Sequence, residues 1–150
     1  MLRLTLGLVL AISVAACADD PTPTDPSSPT LSVAGTWIGE VPVQGVTARM
    51  TWTLSQPNEA EVSGPVLIGL PTGTVFVNGF LTGTLSGSTM TYTISVGPGG
   101  IPLSPTCVGQ LGGTMTASVG STSTLAGDYA VRSSSCPAPI ANGTVTLTRQ

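Results

Sequence analysis

The chain has 150 residues, with four basic residues, seven acidic residues and no histidine, for a formal net charge of −3. So few cations cannot form the positive surface that nucleic acids require, which excludes nucleic-acid binding. All four basic residues are arginines, so the commonest general base and the amine nucleophile are missing. The carboxylates are scattered, and we therefore expect no catalytic residues, no cofactor and no metal site.

The amino-terminal residues have the pattern of a targeting signal. Arg3 precedes a mostly apolar run over residues 4–16, which ends in small residues followed by Cys17. The run is too short to span a bilayer and has the proportions of a secretory signal peptide. Its end, VAAC, resembles the lipobox of bacterial lipoproteins, which implies cleavage before Cys17 and acylation of that cysteine. An ordinary secretory signal with an incidental cysteine is the alternative.

An acylated Cys17 would anchor the mature chain in a lipid bilayer, since two or more acyl chains give stable attachment. Ala18 follows it, which by analogy with proteobacterial sorting favours the outer membrane of a bacterial cell envelope. Residues 18–32 are rich in Pro, Asp, Ser and Thr, cannot bury a core and should stay disordered, with a reach of roughly 40 Å. The organisation is a signal peptide (1–16), a lipidated cysteine and linker (17–32), and one domain (33–150).

The domain has the alternation of an all-β protein. Apolar residues alternate with threonines, as in residues 46–54 and 89–96, which is typical of antiparallel strands exposed to water on one face. Recurrent glycines (Gly64, Gly83, Gly87 and Gly127) suggest the bulges or bends that a small barrel needs. We predict eight strands, at residues 35–43, 46–56, 59–67, 74–85, 89–96, 108–117, 124–133 and 143–149. They would form an eight-stranded antiparallel up-and-down barrel or a Greek-key β-sandwich.

The remaining cysteines favour the barrel. With Cys17 lipidated, Cys107 and Cys136 are an even pair in an oxidising compartment. They bracket the sixth and seventh predicted strands, so a disulfide between them would close the open end of that hairpin. Two free thiols are the alternative.

A second feature also favours the barrel. Gly35-Thr36-Trp37 begins the first predicted strand and Arg149 ends the last. This resembles the lipocalin and avidin group of small barrels, which implies that Trp37 packs across the closed end in cation–π contact with Arg149. A core tryptophan unrelated to a barrel motif is the alternative. The lipocalin signature between residues 118 and 123 and the clustered tryptophans of avidins are missing, so neither family's ligand carries over.

The same topology places the longer loops, residues 69–73, 97–106 and 134–142, on one rim. In lipocalin-like barrels such a rim is the mouth of a ligand cavity. Proline-stiffened connections tied by the disulfide are the alternative. An eight-stranded barrel holds one small ligand or is filled by its own side chains. We expect the interior to be lined by Met50, Trp52, Met90, Tyr92 and Tyr129, together with Ile94, Met115, Leu125 and Val131.

Two functional hypotheses follow. In the first, a membrane-anchored envelope lipoprotein with a lipocalin-like barrel binds a small apolar ligand or lipid. In the second, a filled barrel is a non-enzymatic structural or interaction module that acts through its threonine-rich outer surface or its rim. An open cavity would favour the first hypothesis and a packed interior the second. The oligomeric state does not follow from the sequence.

Overall fold

A computed structural model describes residues 31–70, 72–118 and 123–150. Within these ranges the chain forms eight strands, and no helix there is long and apolar enough to cross a membrane. The predicted signal peptide, Cys17 and the linker as far as residue 30 lie outside the described residues. The strands are β1 (Gly35–Val43), β2 (Val46–Leu54), β3 (Glu61–Gly69), β4 (Val75–Ser86), β5 (Thr89–Val96), β6 (Gly109–Ser118), β7 (Thr124–Ser134) and β8 (Gly143–Arg149).

The sheet closes on itself. Each strand pairs antiparallel with the next, and β8 pairs with β1 in a seam that places Trp37 opposite Arg149. The backbone N–H of Gln150 donates to the Thr36 carbonyl across this seam at 3.0 Å. The all-β prediction and the up-and-down barrel are therefore confirmed, and the Greek-key alternative is wrong because the strands follow one another around the barrel in chain order.

Alternating side chains separate an apolar interior from a hydroxyl-rich wall. In β2, Ala48, Met50 and Trp52 are buried, whereas Thr47 and Thr53 are exposed. The same alternation runs through β5 and β8, whose outward positions are mostly threonine. The interior is one continuous hydrophobic core formed by all eight strands. Burial of this core is the main favourable contribution to folding.

The connection between β2 and β3 is longer than predicted. β2 ends at Leu54 and β3 begins at Glu61, whereas the predicted strands extended to residue 56 and began at residue 59. The reason is a local turn, in which Asn58 Oδ1 accepts hydrogen bonds from the N–H groups of Ala60 at 3.0 Å and Glu61 at 2.8 Å. Such side-chain bonds to the backbone compete with the strand ladder.

Glycines allow neighbouring strands to approach closely at positions where the strand pairing is regular. A Cβ atom on Gly64 would lie 1.9 Å from the Thr53 carbonyl oxygen, and one on Gly127 would lie 1.9 Å from the Thr114 carbonyl oxygen. No side chain can occupy such a position without moving the backbone. Gly87 has a different role, since it lies in the turn between β4 and β5 with a φ of 59°.

Cys107 and Cys136 form a disulfide, with Cα atoms 5.8 Å apart, which confirms the predicted pairing. The bond joins the segment before β6 to the segment after β7. We call this end of the barrel, with its connections at residues 44–45, 70–74, 97–108 and 135–142, the disulfide rim. The opposite end, where β1 begins and β8 ends, is the sealed end.

Candidate functional site

Trp37 and Arg149 close the sealed end. The Trp37 side chain is 2% exposed, and its Nε1–H donates to the Val33 carbonyl at 2.8 Å. The guanidinium carbon of Arg149 lies 4.9 Å from the centre of the Trp37 ring, within the range of a cation–π contact. The indole therefore packs across this end of the barrel with the guanidinium over it.

The chain before β1 completes the closure, and sequence reasoning assigned it no such role. Residues 31–34 lie against the barrel end, with Val33 fully buried. Arg149 Nη2 donates to the carbonyls of Ser32 at 2.6 Å and Ala34 at 2.8 Å, while Gln56 Oε1 accepts from the Val33 N–H at 2.8 Å. The one available signal was the alternation of apolar Leu31 and Val33 at the end of a polar linker.

Arg149 should therefore stabilise the fold more than the exposed Arg132 does, because of its contacts at the sealed end. Arg149→Met removes the cation–π contact and both hydrogen bonds to the chain before β1. We expect the free energy of unfolding to fall by roughly 1–3 kcal/mol, measured by urea unfolding followed by tryptophan fluorescence. Arg132→Met, an exposed position on β7, is the matched control. Equal stability of the two variants would contradict this account of the sealed end.

The side chains expected to line a ligand cavity fill the barrel interior. Met50, Trp52 and Met90 are fully buried, and Tyr92 and Tyr129 are 3% and 2% exposed. The Trp52 and Tyr92 rings meet edge to face, with centroids 4.9 Å apart and planes at 61°, an arrangement favourable for two aromatic rings. The structure also places Ile94, Met115 and Leu125 in this core, with Val131 partly buried against it.

The loops of the disulfide rim fold over the barrel end. Ile140 is buried and forms an isolated bridge with Val43, and Ile101 packs against the core. The cavity beneath these loops has a volume of about 20 Å³. That is room for about one water molecule and far too little for an organic ligand. The rim expected to be an open mouth is therefore covered by its own loops.

One polar atom of the interior has no partner. The indole Nε1 of Trp52 is buried and makes no hydrogen bond within the described residues. A buried donor without an acceptor costs about 1–3 kcal/mol. The packed core therefore contains one position at which a hydrogen-bond acceptor would be stabilising.

The hydroxyl of Tyr92, another polar group of the interior, has a hydrogen-bond partner. Tyr92 donates its hydroxyl proton to the Asp128 carbonyl at 2.9 Å. Burial raises the pKa of Tyr92 far above its ordinary range, and the charges of Asp128 and Tyr129 raise it further against a smaller opposing effect of Arg132. Burial also raises the pKa of Tyr129. Both phenols are thus held in their neutral forms.

This arrangement predicts alkaline unfolding. Both tyrosines of the chain keep their protons in the folded state, whereas the unfolded chain loses them near pH 10, about the ordinary tyrosine pKa. Since the unfolded state then binds fewer protons, the contribution of the two tyrosines to the free energy of unfolding is constant well below pH 10 and falls as the pH rises through about 10. Tyrosinate absorbance and the loss of β-sheet circular dichroism should appear together. Tyrosinate formation near pH 10 with the sheet intact would contradict the prediction.

Acidic side chains of the barrel lie apart on its outside. Glu40 is the register partner of Arg49, and Glu61 Oε2 accepts a hydrogen bond from Asn58 Nδ2 at 2.8 Å. Asp128 Oδ1 accepts from the Thr114 backbone N–H at 3.2 Å. Over the described ranges no three acidic or cysteine side chains come together in a way that could hold a metal ion.

Two grooves lie on the outer wall of β3, β4 and β5. The first, which we call the hydroxyl groove, has a volume of about 480 Å³ and is lined chiefly by Pro57, Glu61, Ser63, Thr82, Thr84, Thr91 and Thr93. The second, the Phe80 groove, has a volume of about 450 Å³ and is lined by Pro65, Asn78, Phe80, Ser95 and the glycine-rich residues 97–100. Sequence reasoning identified the threonine face but not these depressions.

No protein-family model and no curated protein matches the chain. A solved structure described as "Structure of EF1p2_mFAP2b bound to DFHBI" matches with a TM-score of 0.53 at 17% identity, covering 78% of this chain and 93% of that chain. The likeness supports the fold of a small closed barrel of eight antiparallel strands. At this level of identity the likeness concerns the fold alone, so what that protein binds does not identify a ligand here.

Proposed function

We propose that this protein is a non-enzymatic lipoprotein of a bacterial cell envelope, anchored in the outer membrane through Cys17, and that its filled calycin-like barrel acts through its outer surface. The packed interior carries the proposal. Side chains of the protein itself occupy the space in which a lipocalin-like barrel holds a ligand, and the cavity beneath the rim has only about 20 Å³. Binding to a partner is therefore left to the outer wall and the loops.

The distribution of exposed apolar side chains supports a surface role. Among the described residues, the exposed large hydrophobic side chains all lie in the half of the barrel nearer the disulfide rim: Val46, Leu67, Phe80, Leu103 and Val108. The chain from the proposed anchor enters at the other end, where residues 31–34 lie against Trp37. The tether would therefore leave the apolar half accessible.

Anchoring through Cys17 is tested in cells. Cys17→Ala should abolish labelling by an alkyne-bearing fatty acid and release the protein from the membrane fraction, because the acyl chains supply the attachment. Ala18→Ser, which changes the neighbouring residue, is the control and should remain labelled and membrane-bound. A Cys17→Ala protein that still sediments with membranes would refute this anchor.

A small ligand inside the barrel is the second candidate, and the unpartnered Trp52 Nε1 favours it. A mostly apolar molecule carrying one hydrogen-bond acceptor would satisfy this donor. Met50, Met90 and Met115 are buried in the same core, and methionine side chains repack easily around an incoming molecule. The structural neighbour, a barrel of similar fold bound to DFHBI, supports the capacity of such an architecture for a ligand.

One experiment separates the two candidates. The protein is extracted in detergent, examined by native mass spectrometry for retained small molecules, and titrated with oleic acid while tryptophan fluorescence is followed. If the barrel is filled and acts through its outer surface (the surface-module proposal), the mass should be that of the lipoprotein alone and the fluorescence should not change. A retained molecule, or a saturable fluorescence change that Trp52→Phe removes and Trp37→Phe keeps, would instead establish the internal ligand.

A further inference from the structure

We propose that the outer wall of β3, β4 and β5 binds a neutral polysaccharide along the hydroxyl groove and the Phe80 groove. This inference rests on the proposed function, since it names the class of partner that the outer surface recognises. Three observations carry it: the alignment of the two grooves along the same strands, the chemistry of their lining and their charge.

The two grooves follow one another along the same strands. β4 contributes Asn78 and Phe80 to the Phe80 groove and Thr82 and Thr84 to the hydroxyl groove. These outward positions succeed one another at every second residue, as strand geometry requires. From Asn78 to Thr84 the strand rises by roughly 20 Å. The two grooves therefore lie one after the other over roughly 20 Å of β4, which suits a chain molecule better than a compact one.

The hydroxyl groups that line the hydroxyl groove lie opposite one another on neighbouring strands. Ser63 lies opposite Thr82, and Thr82 lies opposite Thr93, so three hydroxyl-bearing residues form a row across three strands. Thr84 and Thr91 are also register partners and form the adjacent row. A hydroxyl both donates and accepts hydrogen bonds, and its proton rotates to suit its partner. Sugar hydroxyls have the same dual character, so the two surfaces are chemically complementary.

Phe80 supplies an apolar platform between these hydroxyls. Its side chain is 50% exposed although it lies in the middle of a strand. Its register partners are Pro65 on β3 and Ser95 on β5, so the ring is flanked by another apolar ring on one side and by a hydroxyl on the other. A pyranose has an apolar face of C–H groups, and aromatic side chains present a large apolar surface with a negative face to such groups.

The low charge of the two grooves favours a neutral polymer. Glu61 is the one charged residue among the described side chains that line the two grooves, and its carboxylate accepts a hydrogen bond from Asn58. A single carboxylate accepts hydrogen bonds from sugar hydroxyls but repels an acidic polymer. Protein interfaces are typically enriched in Tyr, Trp, Met and Arg at their centres, whereas threonine, serine and glycine dominate here. A neutral polysaccharide fits this lining best.

Affinity electrophoresis tests the proposal. The full chain, purified in detergent, migrates through native gels that contain dextran, mannan, laminarin or xylan, with acidic alginate as the charged comparison. Retardation by at least one of the four neutral polymers and not by alginate is the expected result. Unretarded migration in all four neutral gels would overturn the proposal.

Variants place the binding on this wall. Phe80→Ala should weaken binding about tenfold through loss of the apolar platform. Thr82→Val, which keeps the shape but removes the hydroxyl, should weaken it roughly threefold. Thr146→Val makes the same change on the outer face of β8, beyond the grooves, and should leave binding unchanged. Equal retardation of all three variants and the parent would also overturn the proposal, with circular dichroism verifying the fold of each.

Crosslinking separates failure of this inference from failure of the proposed function. A photoreactive amino acid in place of Phe80 captures whatever contacts this wall in living cells. A carbohydrate adduct supports the polysaccharide. A single protein adduct, together with unretarded gels, overturns the polysaccharide while the surface-module proposal stands. The proposed function itself fails on a different result, the retained internal ligand detected by native mass spectrometry.

Discussion

Gly127→Ala should destabilise the barrel by roughly 3 kcal/mol or more, one of the largest effects expected of any single methyl group in this chain. The added Cβ would lie 1.9 Å from the Thr114 carbonyl oxygen and 2.8 Å from the Met115 Cα, both backbone atoms of β6. Neither atom can move without shifting the strand, so the β6–β7 pairing must separate. The measurement is urea unfolding followed by the fluorescence of the two buried tryptophans, Trp37 and Trp52.

Gly97→Ala is the matched control for this prediction. Gly97 lies just after β5, and a Cβ atom there would meet no other atom within 4 Å. We expect its stability to stay within about 0.5 kcal/mol of the parent, because the same methyl group meets no obstacle. Similar losses in both variants would show that glycine flexibility in general, and not the close approach at Gly127, determines the effect.

The second large effect should come from the Cys107–Cys136 disulfide. The bond closes a loop with a sequence separation of 29 residues. In the chain-entropy model this loop restricts the unfolded chain by about 3.5 kcal/mol. We therefore expect the double variant Cys107→Ser with Cys136→Ser to lose about that much stability. The loss should be largest in the β6–β7 hairpin and the loops of the disulfide rim, which hydrogen exchange resolves.

Reduction of the parent protein provides an independent check. Dithiothreitol should lower the stability of the parent to that of the double variant and should leave the double variant unchanged. A double variant as stable as the oxidised parent would mean that the loops hold the rim without the bond. In that case residual structure in the unfolded chain, or packing of Ile140 and Ile101 over the barrel end, is the larger contribution.

Much of this fold follows from local rules. The alternation of threonine with Met50, Trp52, Met90 and Tyr92 determines which face is buried, because successive side chains on a strand point to opposite sides. The register of Trp37 with Arg149 follows from topology, since the first strand of an eight-stranded meander begins where the last one ends. The alternation of residues therefore predicts the strands, and the topology predicts the order in which they pair.

Whether the interior is filled, and how chain segments pack over the two barrel ends, did not follow from the sequence. Whether Met115 and Tyr129 leave a cavity depends on barrel diameter and side-chain volume, which alternation does not encode. The folding of residues 97–106 and 134–142 over the rim depends on where Ile101 and Ile140 meet the core. Gln56 was assigned to a strand, yet its amide binds the chain before β1, a long-range contact that no local pattern indicates. The outer grooves likewise form where side chains of three paired strands meet, which no single strand's sequence indicates.

The hydrogen bonds at the sealed end also determine how the molecule bears mechanical load. Tension on the chain at Leu31 reaches Gln56 first, through the bond from its Nε2 to the Leu31 carbonyl, and then Arg149 through the Ser32 and Ala34 carbonyls. The β1–β8 pairing, which has two register pairs, is loaded only after these bonds. Residues 31–34 thus distribute a pulling force over β8 and the segment that follows β2 before the β1–β8 pairing itself is loaded.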